Sequence, residues 1–184
     1  MTVLTTFDRS AAAPHQSGFA ILHGTFAPDG CVVSLGGFDT QIFDGPARVF
    51  STSGEALEAI AKGRIRECDI LIIRHDGRDA NPLASEGLAD VTAALDSYGL
   101  ERVTVITDGR IGALANGAVI GNVAPSAAAG GPIAYVNDDD MIHIDIAGRR
   151  IDILADIDIR RGAKRKKAAF APGERYAAMF SAAE

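Results

Sequence analysis

A chain of 184 residues with 47% hydrophobic side chains can bury one full core but is too short for several domains. A net charge of −6 argues against nucleic-acid binding as the overall design, and 6% aromatics with no tryptophan leaves little for base stacking. No apolar run reaches the roughly 18 residues that a bilayer span needs, so no membrane partner is expected.

Residues 1–16 carry no charged-then-apolar signal pattern and are expected to form a flexible arm on a cytoplasmic protein. Gly18 to Leu22 is a short apolar strand, Ala27-Pro28-Asp29-Gly30 a turn, and Cys31 to Leu35 a second strand. Thr52 and Glu55 have capping-box spacing, Leu57 and Ile60 share a helical face, and Gly63 stops the helix. Asp69 to Arg74 is a continuous apolar run of the kind that forms a buried strand. After a loop at 75–84, Ser85 opens a second helix whose apolar face is Leu88, Val91, Leu95 and Tyr98, ending at Gly99.

A strand from Val103 ends at Thr107-Asp108-Gly109-Arg110, a small-residue loop follows, and Ala118 to Val123 is another apolar run. Ile133 to Val136, Met141 to Ile146 and Arg150 to Leu154 are expected to form a closing antiparallel meander. From Asp158 the tail is helical and polar, and its basic run (Arg160, Arg161, Lys164 to Lys167) is a solvated face or a dock for an acidic partner. Strands dominate and hairpins mix with crossovers, which indicates an α/β (α+β) domain. Cys31 and Cys68 form no CxxC pair; a disulfide framework is unexpected and both thiols are expected to be buried.

Asp108 and Arg110 stand at a strand end, where a carboxylate and a guanidinium can bind a polar substrate, pair with each other or cap a neighbouring loop. Glu86 lies in the first turn after Ser85, where a carboxylate favours the helix dipole. His75, Asp76 and Asp79, and His143 with Asp145, are weak metal candidates.

Residues 17–155 resemble the C-terminal domain of the dihydroxy-acid and 6-phosphogluconate dehydratases. The resemblance is carried by Gly45-Pro46-Ala47-Arg48-Val49-Phe50, Thr107-Asp108-Gly109-Arg110-Ile111, and the frame Val119-Ile120-Gly121-Asn122-Val123-Ala124-Pro125. It implies a swivelling β/β/α domain at 17–155, a mixed barrel-like sheet with a few packed helices, followed by a polar helical tail at 156–184. It also implies a hydro-lyase setting, such as branched-chain amino acid biosynthesis, with Asp108 and Arg110 facing substrate and Glu86 matching a magnesium ligand.

Within the same frame Gly112 stands where the family has a serine, implied to be the alkoxide base that takes the proton alpha to the carboxylate. Glycine cannot take a proton, so no catalytic residue is expected in this chain. The family's iron–sulfur cysteines lie in a long N-terminal region, and two unclustered cysteines cannot hold a cluster alone. No cofactor is therefore expected here; the cluster and magnesium would belong to a partner subunit. The expected function is an accessory or separated subunit that docks on an iron–sulfur dehydratase chain, or that self-associates. The alternative is a small-anion-binding or scaffolding module derived from the same fold.

Overall fold

The computed structural model describes residues 18–37, 42–74, 84–111 and 117–162, with the side chains of 84–86 left aside. The chain divides into two units, 1–154 and 155–184. In the second, the described residues include a short helical stretch at 157–162, whose Ile159 N–H is capped by Asp156 Oδ1 at 3.1 Å. The rest of the expected tail helix, with Lys164 to Lys167, lies outside the described residues.

The first unit is an eight-stranded mixed sheet. In chain order its elements are β1 (Phe19–Leu22), β2 (Gly30–Ser34), a 3₁₀ turn at Leu35–Gly37, β3 (Ile42–Phe50), α1 (Ser53–Ala61), β4 (Ile70–Ile73), α2 (Ala84–Ser97), β5 (Thr104–Thr107), β6 (Val119–Ala124), a 3₁₀ helix (Pro132–Tyr135), β7 (Met141–Asp145) and β8 (Arg150–Ile153). The strand order is β1-β2-β6-β5-β4-β3-β7-β8. The stretch β6-β5-β4-β3 is parallel; the pairs outside it are antiparallel.

At the centre, Ile70, Leu71, Ile72 and Ile73 are all 0–1% exposed, the continuous apolar run of a strand covered on both faces. Leu71, Ile73 and Val105 pack against Ala56, Ala59 and Ile60 of α1 and Leu88, Val91 and Leu95 of α2. Alternation sends Ile70, Ile72 and Ile106 to the opposite face, where they are equally buried.

α1 is bounded at both ends, and α2 at its C-terminal end, as their sequences require; the Ser85 side chain lies outside the described residues. Thr52 Oγ1 accepts the Glu55 N–H at 3.2 Å, and Glu55 Oε2 reaches back to the Ser51 N–H at 2.8 Å. Gly63 (φ +64°) and Gly99 (φ +70°) end them in the left-handed conformation. The Arg64 N–H then bonds Ala59 O and the Leu100 N–H bonds Leu95 O, which satisfies terminal carbonyls.

The two ends of the strand order meet, so the sheet comes close to a closed barrel. The His23 N–H bonds Arg149 O at 3.1 Å, and the Ile151 N–H bonds His23 O at 3.0 Å. Gly24 is required here because a Cβ would sit 2.0 Å from Ile151 O. The next residue latches onto β8. Asp152 Oδ1 accepts from the Thr25 N–H (2.9 Å) and Thr25 Oγ1 (3.2 Å), and the Ile153 N–H bonds Thr25 Oγ1 at 2.9 Å. Phe26, beside the latch, is fully buried.

Three expectations need correction. Residues 133–136 are not a strand. Pro132 follows Gly131 and starts a 3₁₀ turn closed by Ala134 N–H to Gly131 O, so the closing antiparallel unit is β3, β7 and β8. Tyr98 is 58% exposed because it falls beyond the last turn of α2; Thr92 takes the buried place, its hydroxyl bonded to Ala89 O. Cys68 is exposed, at φ +69° in the turn before β4, and only Cys31 is buried.

Ile72→Ala should cost about 2–5 kcal/mol in urea unfolding, as expected for a cavity in a rigid, doubly covered strand; a loss below about 1 kcal/mol would contradict the central placement.

Asp152 gives a pH prediction. Burial acts to raise its pKa, but the hydrogen bonds from Thr25 and Arg150 outweigh it and hold the carboxyl below its ordinary value. A depressed pKa contributes stability that is present above the unfolded value of about 3.9 and is lost as pH falls through the folded value. The stability gap between the parent and Asp152→Asn, measured by thermal unfolding, should therefore shrink as pH drops below about 4.

Candidate functional site

The four parallel strands end at one edge: Phe50, Ile73, Thr107 and Ala124 are the last residues of β3, β4, β5 and β6. Both helices begin there. A Cβ added to Gly87 in the first turn of α2 would lie 2.8 Å from Ser53 at the start of α1. In open parallel sheets this carboxyl edge is where ligands bind.

Asp108, Gly109 and Arg110 leave β5 at this edge. Thr107 Oγ1 accepts the Gly109 N–H at 3.0 Å and sets the turn. The turn then crosses β6, where Gly109 O accepts the Asn122 N–H at 2.7 Å. Gly121 leaves room for the crossing, since a Cβ there would be 2.5 Å from the Ile111 side chain.

Asp108 and Arg110 are separated by this geometry. Asp108 is 7% exposed, and its Oδ2 accepts the Ala127 N–H at 2.8 Å, so it caps the loop that follows β6. Arg110 is exposed and makes no ion pair or hydrogen bond among the described residues.

A second charged side chain grips the same connection. Arg74, at the end of β4, donates from Nη1 to Ala134 O (3.1 Å) and Val136 O (3.2 Å). The connection itself is tight: a Cβ on Gly131 would meet Pro125 O at 1.8 Å. Charges from β4 and β5 thus pin the 125–136 segment across the strand ends. The sequence reading took Arg74 only as the end of the apolar run from Asp69; a charged residue directly after a buried run was the available signal.

The other candidates separate. Glu86 lies in the first turn of α2, and its side chain is outside the described residues. Gly112, His75, Asp76 and Asp79 also lie outside them. His143 Nδ1 is 2.7 Å from Asp44 Oδ1, its register partner on β3. Asp145 Oδ1 accepts the Gly148 N–H at 2.7 Å and closes the β7–β8 turn.

Among the described residues, no three His, Cys, Asp or Glu side chains gather to hold a metal ion. An iron–sulfur cluster does not fit the cysteines. Burial pushes the Cys31 thiol up to about 12, so it is a poor thiolate ligand, and exposed Cys68 lies before a different strand.

The sequence reading gave Asn122 no role, yet the Asp108–Arg110 turn crosses β6 at this residue. It is exposed and sits at φ +52° inside β6, where the register with β2 shifts between Gly30 and Val32. The signal was an asparagine in a β-branched run, a residue that disfavours strands yet tolerates left-handed backbone.

Asp108→Ala should leave the Ala127 N–H without that acceptor. We expect faster hydrogen exchange at the Ala127 amide and a stability loss of about 1–3 kcal/mol. An unchanged exchange rate would mean the loop is held without Asp108.

No helix among the described residues is long and apolar enough to cross a membrane. The family model "Dihydroxy-acid/6-phosphogluconate dehydratase C-terminal" matches residues 2–184. Dihydroxy-acid dehydratase 2 of Corynebacterium efficiens is 46% identical over 143 residues, 77% of this chain and 25% of that protein. The dihydroxy-acid dehydratase of an Arthrobacter species is 46% identical over 140 residues, 76% of this chain and 24% of its own length. That of Mycobacterium tuberculosis is 44% identical over 151 residues, 80% and 26% respectively. The chain thus spans about a quarter of the length of the curated relatives it matches. With the motifs, the almost closed barrel and the shared strand-end edge agreeing, this chain belongs to the dihydroxy-acid/6-phosphogluconate dehydratase C-terminal family.

Proposed function

We propose that this chain serves as the C-terminal portion of a dihydroxy-acid-dehydratase-type hydro-lyase and does not catalyse on its own. The carrying observation is the identity of 43–46% over about a quarter of the length of proteins named dihydroxy-acid dehydratase, together with the match to a family model described as C-terminal. Over that match the Thr107-Asp108-Gly109-Arg110 turn stands at the carboxyl edge of the parallel strands, the edge such sheets generally use for ligands. Such a portion contributes by closing over a substrate that another polypeptide segment holds. That segment would supply the iron–sulfur cluster and magnesium, and together they would expel water from a dihydroxy acid, as in branched-chain amino acid biosynthesis. The setting would be the cytoplasm.

Gly112 supports the non-catalytic half of the reading. A glycine offers no group to take the proton alpha to a carboxylate, and neither Asp108, held by Ala127, nor permanently charged Arg110 is a replacement base.

A second reading is favoured by Arg110 itself. An exposed guanidinium without a partner among the described residues suits a stand-alone module that binds small anions at this edge.

The pure chain supplied with iron, sulfide and magnesium should form no keto acid from dihydroxy or sugar acids, and Gly112→Ser alone should not change that. Keto-acid formation by the parent chain would refute the proposal. Co-purification from the native cell, with iron assayed on the captured material, separates the two readings: an iron-bearing dehydratase segment supports the first, and a chain recovered alone supports the second.

A further inference from the structure

The two edge strands of the sheet do not finish alike. β8 is closed along its outer side: the Ile151 N–H bonds His23 O, Ile151 O accepts the Phe26 N–H, and the Ile153 N–H bonds Thr25 Oγ1. β1 is closed only just beyond its end, at His23, whose N–H bonds Arg149 O. The Leu35 N–H bonds Gly18 O, and Phe19 faces Ser34 in the register with β2. This phase turns the backbone groups of Ala20 and Leu22 toward β2 and those of Phe19 and Ile21 away from it. Among the described residues, no hydrogen bond reaches the backbone N–H or C=O of Phe19 or Ile21.

The same two residues carry the exposed side chains of the strand. Phe19 is 70% and Ile21 53% exposed, while Ala20 and Leu22 are buried. Open edges are ordinarily guarded by lysine, proline or a bulge. Phe19-Ala20-Ile21-Leu22 contains no lysine and no proline, and its register with β2 runs without a shift.

We propose that β1 is a docking edge for a second copy of this chain, paired β1 to β1 antiparallel about a two-fold axis at Ala20. That axis sets Phe19 opposite Ile21 of the second copy, and Ile21 opposite its Phe19. Each facing pair exchanges two N–H···O=C bonds, so every unused group of both strands is satisfied at once. On the outer face each phenyl ring meets a β-branched side chain, a favourable cross-strand pair. A two-fold contact must be complementary to itself, and an uncharged strand with two outward-facing residues either side of one centre meets that condition. Gly18, at φ +144° with open space around it, leaves the chain room to turn away before it reaches Arg149 of the other copy. Four residues a side bury far less than the ~1,200 Å² of a stable interface, so the dimer is weak and forms only toward millimolar concentration. The association is independent of whether the chain acts within a hydro-lyase.

Sedimentation of the full chain from micromolar to millimolar concentration, with amide hydrogen exchange at both ends of that range, tests the proposal. The parent should pass from monomer to dimer. Exchange at the Phe19 and Ile21 amides should slow as it does, while Ala20 and Leu22 stay as they were. Ile21→Pro removes an N–H that β2 does not use, at an edge position where proline is tolerated. Phe19→Lys sets a charge on each side of the axis, on a side chain that the monomer leaves in solvent. Both variants should remain monomeric throughout, and in dilute solution both should unfold at the parent's temperature.

A parent that stays monomeric over the whole range overturns the proposal. Phe19 and Ile21 amides already protected at the dilute end also overturn it, since another segment of the same chain then covers the edge. A dimer that survives Phe19→Lys places the contact on a different surface and overturns it too.

Discussion

A strand covered on both faces has only its two ends to offer, and Ile70–Ile73 imposes that constraint here. With no polar face, β4 must be sandwiched between strands and roofed by helices. Parallel pairing meets both needs at once: each return to the starting edge requires a crossover, and the crossovers are α1 and α2. The same geometry delivers every outgoing residue (Phe50, Arg74, Asp108, Pro125) to one edge. The location of the polar groups is thus a by-product of burying four aliphatic side chains.

What those polar groups then do is decided by solvation. Asp108 is buried, and a buried carboxylate needs donors, so it takes a backbone N–H. Arg74 is partly buried and spends its guanidinium on two carbonyls. Arg110 and Asn122 stand in water and carry no such obligation. Arg74, Asp108 and Arg110 look alike in sequence, each charged and next to an apolar run, yet the first two hold the edge together and the third stays exposed.

Much of the fold was legible because local and global requirements coincide. The Thr52–Glu55 box, the glycines at 63 and 99 and the apolar run at 70–73 each have a single physical meaning. The strand at 42–50 went unassigned because Asp44-Gly45-Pro46 reads as a turn. It survives as a strand because Gly45 fits against Cys68 O, where a Cβ would come within 2.4 Å, and because proline's missing N–H costs nothing at a change of partner. The apolar run at 133–136 misled for the opposite reason, since four hydrophobic residues have no readable period. At the strand-end edge, the sequence singled out Asp108 and Arg110 together, but which of the two would be buried depends on the loop after β6, a contact 19 residues away in sequence.

That nine-residue strand carries a consequence of its own. Residues 42–46 belong to the ladder with β7, and residues 47–50 to the ladder with β4, the change falling at Pro46. Beyond the change, the outer side of the strand is held by the 138–140 loop through Ala47 N–H to Asp140 O and Val49 N–H to Asp138 Oδ1. One continuous piece of backbone is therefore stitched into two sub-structures of different make: a hairpin with an exposed face and a core with none. Mechanically it is the seam of the barrel. Load applied to the hairpin is passed along a covalent chain to the buried centre, and with Ile142, Ile144 and Ile151 fully buried the hairpin yields only as part of the core.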